Sequence, residues 1–581
     1  MTHVSVSLRS SEPSVARVPR RRHGRGWLER HGDIRLLKVA GSFREMGEQH
    51  GVLLRDDVLA GPLPYFRSFV ERMLRGSLGG AAGIVWPVMQ RTLGRRIARS
   101  LPPFARETLE GLVEGAGLDW QAALDAATMP DAFVWLVARI NQLSGRGPAV
   151  MHRLALGIEL GCTSALAWGD ATVDGKVLHA RNFDYHGVEC WPQTKALILH
   201  EPDEGMRYVS AAAAGVPLGG ITAMNEAGLT LAVHQHMFST GAALGGTPIG
   251  VVGDLVMRQA HDLDEAQRIL EAHRPIGCWT YIVADANRRE VLCFEENPKR
   301  RAVRRLGGSG GTFGYANIYL DRELGATESN LFGSYWRHNL GRHTRVNALL
   351  AERSGRLDPQ GMAEILGDAG VACRISDSIA MVLTTGSVVF SPEDGVVWMG
   401  TGTTPTSHGT FEPFSLAEER PVPERGRLEV GADLAVERRD AFEHFRRAYV
   451  AAVDRDDRSV ARGEVERAAD LDPGEPLYHF LAGVLALATG DPSTAEVRFS
   501  RALDLGHPHA ERVASFHLWR GRARDLLERR ADAVADYRAC LGHYADAPVH
   551  AAARRNLKRV YRPSEARKVR PEMSLADVIH P

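Results

Sequence analysis

The chain has 581 residues, too many for one ordinary core, so two to four domains are expected. Its 71 basic and 71 acidic residues cancel, which removes any global electrostatic reason to expect nucleic acid or an anionic membrane as partner. The six cysteines, Cys162, Cys190, Cys278, Cys293, Cys373 and Cys540, are scattered without a CxxC pair. That excludes a disulfide framework and a zinc site and suits a reducing compartment, so a cytoplasmic protein is expected.

Residues 1–33 read as a disordered basic tail, because the arginines are followed by no apolar run of a secretory signal. The most apolar stretch, Ala81 to Met89, is far shorter than the roughly 18 residues of a membrane span. Residues 34–161 look mostly helical. Arg106 to Leu124 carries apolar residues near helical spacing, with a glycine stop at Gly115 to Gly117.

From 162 to 418 the pattern changes to short alternating runs. Thr163–Trp168 and Lys176–Asp184 make a first pair, and Ile221–His236 folds back at Asn-Glu-Ala-Gly. Trp279–Glu296 turns at Asp285 to Arg289, and Ile379–Gly402 turns near Pro392 to Gly395. Helical patterns interrupt at about Gly250–Ala272 and Arg337–Glu352. Antiparallel strands with helices inserted in blocks predict an α+β layered domain.

Residues 419–438 read as a linker, 439–561 as helix pairs, and 562–581 as a C-terminal tail. The helix pairs repeat. Gly483, Ala495, Phe499, Ala502 and Leu505 recur 34 residues earlier as Tyr449, Ala461, Val465, Ala468 and Leu471. They recur 38 residues later as Gly521, Ala533, Tyr537 and Cys540. This array resembles tetratricopeptide repeats, which implies a concave surface for a peptide or protein partner.

The stretch that carries chemistry is GCTSALAWGDATVDGKVLHARNFDYHG, Gly161 to Gly187. Cys162 follows a glycine where helical sequence gives way to strands. In an antiparallel hairpin the end of the second strand lies beside the start of the first, which brings Arg181 and Asp184 to Cys162. A thiol has a pKa of about 8.5 and attacks as the thiolate, which a neighbouring arginine favours. A free α-amine titrates near neutrality and can act as base. Cutting Gly161–Cys162 gives one residue both nucleophile and base. Gly161 permits the backbone twist such a cut needs.

Five motifs in order then resemble the penicillin acyltransferase family of N-terminal nucleophile (Ntn) hydrolases, related to choloylglycine hydrolases and acid ceramidase. They are Gly41–Gly51 (GSFREMGEQHG), Leu109–Trp120 (LEGLVEGAGLDW), the Gly-Cys-Thr-Ser start, the Arg-Asn-x-Asp return, and Ala223–Val233 (AMNEAGLTLAV). The resemblance implies an αββα sandwich, a self-cleaved pro-segment, no cofactor, and an acyl amide or acyl thioester substrate. It implies Cys162 as nucleophile, with Arg181 and Asp184 bracketing the thiol and the α-amine. It further implies Asn317 as an oxyanion residue and Arg345 as a late active-site arginine, a place Arg342 can also take. His234 and Gln235 stand where relatives carry asparagine, as candidate oxyanion contacts.

His234 and His236 share a strand face, yet no third metal ligand is evident. The glycine-rich runs lack phosphate-loop spacing, which excludes nucleotide binding. The nucleophile motif of papain-like proteases is absent. A rival of another class is an adaptor that works through its repeats on an inactive catalytic scaffold.

Overall fold

Strand alternation builds the centre of the molecule. The computed structural model describes residues 20–78, 82–144, 161–237, 239–328, 333–369, 378–430, 435–569 and 573. It is an α+β structure with two large sheets. One runs, in spatial order, Arg21–His23, Gly26–His31, Ile34–Gly41, Lys195–Pro202, Tyr208–Ala213, Thr222–Asn225, Leu229–Gln235, Trp279–Asp285, Glu290–Asn297 and Arg300–Leu306. It is antiparallel except where Ile34–Gly41 pairs in parallel with Lys195–Pro202. The other runs Gly310–Tyr315, Gly161–Gly169, Gly175–Asp184, Thr384–Ser391, Val396–Gly400, Thr410–Ser415 and Arg420–Pro421.

The sheets pack face to face. Leu36, Leu199 and Met224 of the first meet Val388, Val397 and Phe414 of the second. Farther along, Ala232 and Ile282 meet Leu166 and Trp168. Helices Ile249–Gln259 and Leu263–Ala272 cover the outer face of the first sheet. Helices Gly333–Glu352 and Pro359–Leu366 cover that of the second. Burying each of these leucines and valines contributes about 1.5–3 kcal/mol.

The N-terminal region departs from its expected form. Gly26–His31, expected in a disordered tail, is a strand, because Trp27 packs between the sheets while Leu28 packs under the helix Phe43–Leu53. Ile34–Gly41, expected in a helical segment, is the strand that joins it to Lys195–Pro202. The two N-terminal motifs meet in one close helix crossing. A Cβ on Gly47 would stand 2.0 Å from the Thr108 carbonyl, and one on Gly111 would stand 2.0 Å from the Arg44 carbonyl. Those glycines let Phe43–Leu53 and Pro103–Ala116 touch backbone to backbone. His50, on the first of these helices, is buried and accepts a hydrogen bond from the Gly215 N–H at 2.9 Å.

The expected linker is partly sheet, since Leu428–Glu429 pairs with Thr410–Ser415. Helices Val436–Tyr449, Arg458–Leu471, Pro476–Ala488, Pro492–Leu505, Ala510–Leu526, Arg530–Gly542 and Ala547–Lys558 follow. The repeat positions carry their packing. A Cβ on Gly483 would stand 2.6 Å from the Phe499 ring, and one on Gly521 would stand 2.6 Å from the Tyr537 ring. The expected C-terminal tail is not free throughout. Val569 and Met573 are buried in the core of the helical array, which their apolar side chains close. The same core takes in Val188 and Met381–Leu383 from the sheet region.

Candidate active site

Cys162 is the second residue of its strand, and Gly161 pairs with Asp184, Cys162 with Phe183 and Ser164 with Arg181. The expected hairpin register therefore forms. Cys162 is buried, and Nη2 of Arg181 donates to its Sγ at 3.3 Å. The same guanidinium is held by the main-chain carbonyls of Ile221 and Val233 in the facing sheet. Arg181 thus spans the gap between the sheets and aims one N–H at the sulfur.

The main chain of Cys162 is held on both sides of the strand. Its N–H donates to Oδ1 of Asn317 at 2.6 Å, and its carbonyl accepts from Nη1 of Arg342 at 2.9 Å. Asn317 follows the strand Gly310–Tyr315 with a left-handed φ of 47°, which turns its amide back toward Cys162. Its Nδ2 donates to the Gln235 carbonyl at 2.9 Å.

Arg342, not Arg345, is the arginine of the helix Gly333–Glu352 that reaches Cys162. It also donates to Thr163 Oγ1 at 2.9 Å and Asn317 Oδ1 at 3.2 Å. Asn339 Oδ1, three residues earlier on the same helix, accepts from Arg342 Nη2 at 2.7 Å. Arg345 sits on the flank of that helix, where Asp368 captures it at 2.7 Å and leaves its side chain 32% exposed.

Asp184 is fully buried. Its Oδ1 accepts from Thr384 Oγ1 at 2.7 Å, and its Oδ2 lies 3.9 Å from Arg342 Nη1 with no hydrogen bond among the described residues. Burial pushes the carboxyl above its ordinary range, and Arg342 works against that rise. Gly161 fits against this pair. A Cβ there would stand 2.8 Å from Arg342 Nη2 and 3.3 Å from Asp184 Oδ2.

His234 and Gln235 do not reach the sulfur as side chains. Nε2 of His234 is hydrogen-bonded to Ser164 Oγ at 2.8 Å. Ser164 Oγ also meets His179 Nε2 at 3.3 Å. Burial, with Arg181 nearby, holds His234 well below the usual imidazole range. Gln235 enters through its carbonyl alone, and strand alternation sends its side chain to the face opposite His234.

Several residues of the site escaped the sequence reading. Phe183 and Tyr185 stack with centroids 5.3 Å apart, and Trp191 and Phe66 stand edge-on to them at 5.2 and 4.9 Å. This apolar wall begins directly opposite Cys162. Behind it Asp131, on the helix Trp120–Ser144, accepts the Ile249 N–H at 3.0 Å. Burial pushes that carboxyl up to about 7. The C-terminal helices reach the same wall. His186, stacked on Phe69, is hydrogen-bonded to Tyr449 at 2.9 Å, and Tyr65 donates to Asp454 at 2.6 Å.

Residues 171–404 match the family described as acyl-coenzyme A:6-aminopenicillanic acid acyl-transferase. The match begins after Cys162 and takes in Arg181, Asp184, His234, Gln235, Asn317, Arg342 and Arg345. An uncharacterized protein of Archaeoglobus fulgidus is 27% identical over 277 residues, 46% of this chain and 44% of its own. Protein dcd1B of Dictyostelium discoideum is 25% identical over 186 residues, 31% of this chain and 34% of its own. The chain spans less than half the length of these curated relatives.

Among the described residues, no helix is long and apolar enough to cross a membrane, and no three His, Cys, Asp or Glu side chains group as metal ligands. Cys162, Cys190, Cys278, Cys293 and Cys540 are free, and Cys373 lies outside the described residues.

Proposed function

We propose that the protein is a self-processing cysteine Ntn hydrolase or acyltransferase that acts on an acyl amide or acyl thioester. The observation that carries this reading is the clasp on one residue: Arg181 on its sulfur, Asn317 on its nitrogen and Arg342 on its carbonyl. A buried structural cysteine needs none of these. The family match over 171–404 supports acyl chemistry independently.

In the processing step, Sγ of Cys162 attacks the Gly161 carbonyl carbon. The bond to the Cys162 nitrogen breaks, that nitrogen takes the thiol proton, and Gly161 becomes a thioester on the sulfur. Water then splits the thioester, giving a Gly161 carboxylic acid, a free thiol and a free α-amine. Asn317 Oδ1 already accepts from that nitrogen, and the open Oδ2 of Asp184 lies across the hairpin beside Gly161.

In turnover the amine takes the thiol proton, and the sulfur attacks the substrate carbonyl. The amine or thiol leaving group departs with a proton, and water or an acceptor amine collects the acyl group. Asn317, whose Nδ2 gives one hydrogen to the Gln235 carbonyl, has a second to offer the oxyanion, a role typically worth about 3 kcal/mol. Phe183, Tyr185, Trp191 and Phe66 form the wall for an apolar acyl group.

On this reading the N-terminal part up to Gly161 is a pro-segment, 162–418 is the catalytic unit, and the helices from 439 are tetratricopeptide-like. The free cysteines support a reducing compartment such as the cytoplasm. The hydrogen bonds of Tyr449 with His186 and of Asp454 with Tyr65 tie the helical array to residues beside the site wall, which supports a part for it in the enzyme and weighs against an adaptor on an inactive scaffold.

The test is the intact mass and new N-terminus of the purified protein beside Cys162→Ala, followed by assay of both on acyl amides and acyl thioesters. A chain starting at Cys162, absent from the variant, with acyl transfer or hydrolysis lost in the variant, is expected. Uncut protein with equal activity in both would overturn the reading.

A further inference from the structure

The helix Ala82–Met89 continues through a wider π turn, Gln90–Gly94, into Arg95–Ala98. Met89, Gly94 and Arg95 all keep right-handed helical backbone, so the three pieces form one rod. Its inner side is apolar. Leu93 and Ile97 are buried against Ile276, and Met89 packs both there and on the cluster that contains Tyr185 and Phe66.

Its outer side has two parts. Ile84 is 72% exposed and Val88, one turn later, is 54% exposed. Arg91, Arg95, Arg96 and Arg99 follow, all exposed. The extra residue of the π turn shifts the later positions by about a quarter turn, which leaves Ile84, Val88, Arg91, Arg95, Arg96 and Arg99 within roughly one third of the rod's circumference.

These four arginines fall within nine residues of one rod. Among the described residues none of the four has a carboxylate partner. Some exposed arginines elsewhere are matched, as Arg44 is with Glu110 and Glu114, while others, such as Arg106 and Arg304, are not. Four cations without a carboxylate partner thus stand close together, next to two large apolar side chains that face water.

We propose that this face docks on an anionic lipid bilayer. Ile84 and Val88 enter the boundary between headgroups and acyl chains, while the four arginines meet lipid phosphates. Charge complementarity favours this occupant. The apolar part is two side chains, too little for a stable protein interface, which buries upward of about 1,000 Å² with fitted shape. A fluid bilayer requires no fitted shape. The docking stands apart from the chemistry at Cys162, but the contacts of Met89 leave a single helix between the bilayer and the aromatic wall of the site.

Flotation of the full-length protein with phosphatidylcholine vesicles, with and without one-third phosphatidylserine, tests it. Wild type is expected to float only with the anionic vesicles, and less as salt rises. Affinity is expected to fall about fivefold for each arginine neutralised, and further in Arg91→Glu/Arg95→Glu/Arg96→Glu. Ile84→Asp/Val88→Asp is expected to weaken binding about tenfold while keeping its salt dependence. All these positions are exposed, and an unchanged melting temperature verifies each variant. Wild type that fails to float, or flotation that survives the arginine reversals, overturns the proposal. Binding to polyglutamate but not to vesicles would assign the face to an acidic protein instead. Loss with the arginines but not with Ile84 and Val88 would overturn the insertion.

Discussion

Gly161 and Asp184 face each other across the first hairpin, and the carboxylate oxygen that lacks a hydrogen bond is the one beside the glycine. That oxygen has room only because residue 161 has no side chain. Gly161→Ala would press a methyl onto Arg342 Nη2 and Asp184 Oδ2. The expected cost is about 1–3 kcal/mol of stability and a self-cleavage rate at least about tenfold slower. Thermal melting and the time course of the mass change measure the two effects.

The two late arginines should separate cleanly. Arg342→Lys loses the fork that holds the Cys162 carbonyl, Thr163 and Asn317 together, and should lower acyl turnover by about 10²-fold. Arg345→Ala gives up a half-exposed pair with Asp368, worth about 0–1 kcal/mol, and turnover should stay within about twofold of wild type. Parallel kcat/KM measurements on both variants decide this; equal losses would place Arg345 in the site after all.

Asp131 makes stability depend on pH in the direction opposite to a salt-bridged acid. Its folded pKa, about 7, lies above the ordinary 3.8, so the folded protein binds the extra proton. Stability from this group is therefore fully present below about pH 4 and is lost as pH rises through 7, by up to about 4 kcal/mol. Asp131→Asn keeps an acceptor for the Ile249 N–H and has no charge to bury. Its melting temperature should match wild type near pH 4 and exceed it at pH 8. A gap constant across that range would show that Asp131 does not titrate there.

Cleavage at Cys162 should not release the N-terminal piece. Ile34–Gly41 is paired in the middle of a sheet, and Tyr65 is bonded to Asp454 on the far side of the cut. The two pieces should co-elute on gel filtration and separate only in denaturant. Late elution of the small piece alone would contradict the pairing.

What the sequence disclosed follows the range of the forces involved. Cys162, Arg181 and Asp184 were legible because a tight hairpin with period-two alternation sets their register within 23 positions. The strands of Ile221–His236, Trp279–Glu296 and Ile379–Gly402 were legible for the same reason. Arg342 and Arg345 share one helix three residues apart, and the choice between them is made by Asp368, which no local pattern identifies. Gly26–His31 was hidden by the arginines around it, whose composition outweighs Trp27 and Leu28 when the covering helix is unknown. Asp131 looks like any polar residue of a helix until Ile249 arrives from 118 positions away.

The parallel pairing of Ile34–Gly41 with Lys195–Pro202 also sets a timetable. Arg35 finds its partner Ala196 only after 161 further residues have been added, roughly 10–30 s on a ribosome. Throughout that interval the strand has one bare edge, and Arg30 and Arg35 beside it are the kind of charge that deters a stray chain from zipping on. A newborn molecule therefore guards its first strands with cations until the rest of the sheet arrives.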